Sequence, residues 1–67
     1  MTRYEYTPYE ERILRTLTEA YRPLTTQQVS DYSGISYNAT MKILRKLSVK
    51  RVVKTEVQSN KTLWTAI

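Results

Sequence analysis

The amino-acid sequence predicts an α+β, mainly α fold, with three helices followed by a two-stranded β-hairpin in a single domain over residues 1–67. Three observations carry this expectation. Apolar residues recur with helical spacing as far as Leu47. Threonine, serine and proline stand where helices start, and the one glycine stands where a helix should stop. After Leu47 the pattern changes to β-branched runs separated by turn residues.

Residues 1–7 form an N-terminal arm in which "TRYEYT" alternates aromatic and charged side chains, suiting an extended segment or a short strand. Thr7-Pro8 opens the first helix, expected over 8–21. Threonine caps free amides, and proline fits the first helical position. Glu10 and Glu11 lie in the first turn, where the helix dipole favours negative charge. Ile13, Leu14, Leu17, Ala20 and Tyr21 share one face, and the helix must end before Pro23. Leu24 is an apolar bridge. Thr25 or Thr26 caps a second helix over 26–33, with Gln28 as the capping-box partner of Thr25 and with Val29 and Tyr32 as a thin apolar edge.

Gly34 then stops that helix in the left-handed region, where glycine alone carries no steric penalty. Ile35 turns inward, and Ser36 caps a third helix over 37–48 whose buried stripe is Ala39, Thr40, Ile43, Leu44 and Leu47. Residues 52–67 make the hairpin from "VVKTEV" and "TLWTAI", with "QSNK" as a turn of about four residues. Trp64 is the core residue that closes this hairpin onto the helices. Tyr4, Tyr6 and Tyr9 either shield the core or form an interface.

Composition removes whole classes of function. The chain has 67 residues and neither cysteine nor histidine, so disulfides are excluded and a metal site is not expected. The same absences remove the commonest acid–base and thiol chemistry, and one glycine cannot make a phosphate-cradling loop. No cofactor and no catalysis are expected. Apolar residues never run beyond two in a row, which gives neither a membrane span nor a signal-peptide core. The triplets Asn38-Ala39-Thr40 and Asn60-Lys61-Thr62 are read as chance matches to the glycosylation pattern.

The net charge of +5 is unevenly placed. Residues 1–34 hold four cations against five anions, whereas residues 35–67 hold seven cations against Glu56 alone. That asymmetry points to a polyanionic partner facing the second half. On the third helix, burying 39, 40, 43, 44 and 47 leaves Tyr37, Asn38, Met41, Lys42 and Arg45 as a contiguous outer stripe. An amide, a methionine and two cations suit the major groove of duplex DNA: Asn pairs with adenine, Arg with guanine, and an apolar tip with a thymine methyl. Ser36 offers helix-start amides to a phosphate, and Lys46 lies further along the same helix. Arg51, Lys54 and Lys61 would bring the hairpin to a flanking phosphate or the minor groove. Thr25, Thr26 and Gln27 are candidate donors to the DNA backbone.

The stretches "LTTQQVSDYSGIS", "YNATMKILRKL" and "KRVVKTEVQSNKTLW" together resemble the winged helix-turn-helix family, with the resemblance covering residues 8–67. It implies sequence-specific binding to double-stranded DNA by a small regulator of the prokaryotic or viral type, working in the cytoplasm or at the nucleoid. The third helix would be the recognition helix and the hairpin the wing. The family often has glycine between these two, where this chain has Arg51. A homodimer on a two-fold operator is expected. With no long dimerisation helix in the chain, it would use the N-terminal arm, the first helix or the hairpin edge. The rival readings are a protein-binding module with an acidic partner and a non-specific nucleic-acid binder. The second of these calls for more aromatics on the basic surface than Tyr37 alone.

Overall fold

The computed structural model describes residues 6–67, so most of the expected arm, including Tyr4, lies outside the described residues. Helix α1 (Pro8–Ala20) starts on a full capping box: the Thr7 hydroxyl accepts from the Glu10 amide, and the Glu10 carboxylate accepts from the Thr7 amide. It ends one residue before the expected boundary, because Tyr21 turns left-handed at φ 58° and releases the chain toward Pro23. Ile13 and Leu17 are its buried face.

The bridge at Leu24 proves to be a strand. Strand β1 (Leu24–Thr25) pairs antiparallel with the last strand, Leu24 opposite Trp64 and Thr25 opposite Leu63. The sheet therefore has three strands, ordered β1-β3-β2, where the sequence suggested two. Two residues give no periodicity to read, and the pairing depends on a strand some forty residues further along. Helix α2 (Thr26–Ser33) follows immediately, with Thr25 and Gln28 forming a second capping box.

Gly34 closes α2 at φ 72°, its amide donating to the Ser30 carbonyl. The turn into helix α3 (Tyr37–Val49) is pinned from inside. The buried hydroxyls of Ser30 (2.6 Å) and Thr40 (3.3 Å) both donate to the Ile35 carbonyl, one from each helix. Ile35 itself is buried. Helix α3 runs one residue past the expected end. Its exit follows the Schellman pattern, with the Arg51 amide bonded to the Ser48 carbonyl and the Val52 amide to that of Leu47. Arg51 holds the left-handed position at φ 62°.

Strands β2 (Val53–Gln58) and β3 (Lys61–Ala66) form the hairpin. Their loop is two residues, not four, because Gln58 and Lys61 are themselves paired. Ser59 and Asn60 are both left-handed, at φ 48° and 66°, the combination that matches the twist of the strands. The core gathers Ile13, Leu17, Leu24, Val29, Ile35, Leu44, Leu47, Val53 and Trp64, drawing on all three helices and all three strands. Tyr6 packs against it, half-buried.

Candidate nucleic-acid interface

Helix α3 is held by its buried side, which dictates what the other side can present. Thr40, Leu44 and Leu47 point into the core, while Tyr37, Asn38, Lys42 and Arg45 are exposed and Met41 is half-exposed. The Ser36 hydroxyl is occupied in capping, accepting from the Ala39 amide at 3.4 Å.

The outer stripe divides into two rows. Tyr37, Met41 and Arg45 recur every four residues and face the wing. Together with Thr25, Thr26 and Gln27 from the start of α2, and Asn60, Lys61, Thr62 and Trp64 from the wing, they line an open cleft of roughly 610 Å³. Lys42 and Lys46 form the second row. They turn toward the start of α1, lining a shallow apolar groove with Thr7, Pro8, Tyr9, Glu10 and Ile43. Each residue advances about 100° around a helix, so neighbours in sequence look in different directions once flanking elements are in place.

Lys46 is committed further. Its ammonium lies 3.8 Å from the Glu10 carboxylate, and that of Lys50 lies 3.9 Å from the same oxygen. Glu10 is buried, and the amide of Thr7 holds its carboxyl below the ordinary value of 4.5, aided by Lys50 and Lys46 and opposed by burial. Lys50 also sits 5.3 Å above the Tyr6 ring. Two of the seven cations of the basic half are thereby partly answered within the fold.

Thr26 does not present its side chain as expected. It is buried, and its hydroxyl accepts from the Trp64 indole N–H at 2.8 Å, because the N1 position of α2 faces β3 across the β1 pairing. Gln27 is exposed at the mouth of the cleft, though its amide nitrogen donates to Asp31. Lys61 lies at the wing tip within the cleft lining, whereas Lys54 is opposite Thr65 and falls on the face of the wing turned away from Trp64. Arg51 is exposed at the exit of α3, outside the cleft lining. Asn38 is exposed but lines neither surface.

Sequence reasoning missed Asn60 and Thr62, both in the cleft wall. The available signal was "QSNK": asparagine tolerates the left-handed region better than most residues, and placing it in a two-residue loop puts it at the tip.

No protein-family model and no curated protein sequence matches the chain. Its structure, however, is similar to solved ones. A zinc-responsive MarR family member, ZitR of Lactococcus lactis, superposes with a TM-score of 0.81 at 25% identity, over 98% of this chain and 46% of that one. The same protein in complex with DNA gives a TM-score of 0.82 at 25% identity, again over 98% and 46%. A structure described as giving insights into the DNA recognition and protein interaction domains of HOP2 matches with a TM-score of 0.76 at 25% identity, over 88% of this chain and 98% of that one. The chain thus spans less than half the length of ZitR and nearly the whole of the HOP2 structure.

Proposed function

We propose that this chain, a winged helix-turn-helix domain, binds double-stranded DNA sequence-specifically and serves as a small transcriptional regulator. The observation that carries the reading is the row of Tyr37, Met41 and Arg45, presented on the outer side of a helix whose other side is buried, and facing a wing tip that bears Lys61. A helix enters the major groove, a β-ribbon can reach the flanking backbone, and the cleft between them is open to solvent. The likeness to ZitR, a protein with a solved structure in complex with DNA, supports the DNA-binding reading. Phosphate contacts supply most of the affinity, and the α3 row supplies sequence preference. The chain acts as a binding module where DNA is accessible, in the cytoplasm of its host.

One such module covers a small interface, so two copies on a two-fold operator fit the reading. Among the site residues, Tyr37, Met41, Arg45 and Lys61 contact the duplex from inside the cleft. Asn38 and Lys42 do so from the outer stripe, with Ser36 and Gln27 at the helix starts. Arg51 and Lys54 act at the margin.

Selection of duplexes from a random pool at two salt concentrations tests this. A recurring sequence that persists at the higher salt is expected. Replacing Lys42 and Arg45 together with alanine should weaken the selected duplex by about tenfold or more with little change in melting temperature. Lys46→Ala, whose side chain leans on Glu10, should matter less. Failure to enrich any sequence, or equal binding by the double variant, would overturn the proposal. Displacement of the chain from DNA by an acidic protein but not by competing duplex would favour the protein-binding alternative.

A further inference from the structure

We propose that the outer edge of the wing joins two copies of this chain by antiparallel self-pairing of β2, centred on Thr55. The inference deepens the dimer reading above and rests on it; of the residues given a DNA role it uses Lys54 alone, and dimerisation is therefore measured without DNA.

Strand order β1-β3-β2 leaves β2 at the edge of the sheet, and Lys54 to Gln58 are all exposed. The backbone phase is set by two observations. Gln58 and Lys61 flank a two-residue turn, and the Ile67 amide donates to the Val52 carbonyl at 3.1 Å. Even-numbered residues of β2 therefore bond to β3, and the N–H and C=O groups of Thr55 and Val57 point outward. Such an edge is a ready template for another strand.

Only one symmetric register suits the side chains. Centring on Thr55 makes Thr55 and the partner's Thr55 a pair that exchanges two backbone hydrogen bonds. The flanking positions are the closer, non-bonded kind, and they set Lys54 opposite the partner's Glu56 and Glu56 opposite the partner's Lys54. Centring on Lys54 or on Glu56 would oppose like charges. Centring on Val57 would leave Lys54 and Glu56 without opposite charges. Glu56 is also the one anion among residues 35–67, and it sits two residues from a lysine on the same face of an edge strand. In the Thr55 register Val57, 71% exposed, comes to the end of the partner's β2 nearest its core.

The symmetry has a consequence for recognition. Antiparallel neighbours in a sheet are related by an axis perpendicular to it, so the joined sheet runs β1-β3-β2-β2-β3-β1 with both inner faces on the same side. Both copies of α3 then lie on one side, as a two-fold operator demands. A pairing this short buries less than permanent dimers do, so association is weak and concentration-dependent.

Sedimentation equilibrium of the chain without DNA, up to millimolar concentration, is the test. The parent should show a monomer–dimer equilibrium. Lys54→Glu should weaken it several-fold, and adding Glu56→Lys to that variant should restore it. Thr55→Pro removes the central outward amide, which makes no bond to β3, and should give a monomer with unchanged circular dichroism. A parent that stays monomeric throughout overturns the proposal, as does Lys54→Glu dimerising normally or the double exchange failing to recover. If Thr55→Pro does not fold, the charge exchange alone decides. Titration with a duplex carrying one half-site separates the two readings. Binding without dimerisation sinks the edge and leaves the function standing, and dimerisation without binding does the reverse.

Discussion

Glu10 shows how much one side chain can hold together. Its carboxylate caps α1 through the Thr7 amide and meets the ammonium groups of Lys46, in the last turn of α3, and of Lys50, at its C-cap. One buried anion therefore ties the start of α1 to the end of α3. Its folded-state pKa is depressed, so its contribution is present above the ordinary carboxylate value of 4.5 and is lost as the pH falls through the lowered one. Glu10→Gln keeps an oxygen for the Thr7 amide but removes the charge. The variant should be less stable at neutral pH and should lose less stability on acidification. Urea unfolding at neutral pH and well below pH 4.5 measures both.

At the scale of elements, the chain turns through the left-handed region after each helix, and the three turns use different residues. Gly34 ends α2 with nothing within 4 Å of where a Cβ would stand, so a side chain there meets only backbone strain. Tyr21 and Arg51 end α1 and α3 while carrying side chains in the same region. Arg51 keeps the full Schellman bonding despite this, which shows that the exit from α3 is imposed by Leu47 and Val52 joining the core on either side. Arg51→Gly should therefore raise stability by up to about 1 kcal/mol, and Gly34→Ala should lower it by about the same amount. Chemical denaturation of the two variants checks the pair. Arg51 is exposed, so little packing is lost with it.

At the scale of the molecule, the wing is fastened to the helices by Trp64. Its ring is 6% exposed in the core, and its indole N–H donates to Thr26 at the first turn of α2. The same residue stands in the wall of the cleft, so the attachment of the wing and the shape of the proposed DNA site share one side chain. Trp64→Phe keeps most of the apolar volume but leaves the Thr26 hydroxyl buried without its donor, a loss of about 1–3 kcal/mol. Thermal unfolding should show it. Thr26→Val combined with Trp64→Phe should recover part of the loss, since both polar partners are then gone.

What the amino-acid sequence determined alone was local. The threonine cap at 7, the capping box at Thr25, the serine cap at 36, the left-handed stop at Gly34 and the buried stripe of α3 depend on residues within about one turn of each other, so spacing suffices to read them. The exposure of Asn38, Lys42 and Arg45 follows from that stripe. Tertiary structure decided everything that joins distant segments: β1 pairing with β3, Trp64 bonding to Thr26, and Glu10 drawing Lys46 and Lys50 toward α1. These contacts split one exposed stripe into a row facing the wing and a row facing α1. A periodic pattern records which side of a helix is buried, but not which neighbour stands beside its exposed flanks.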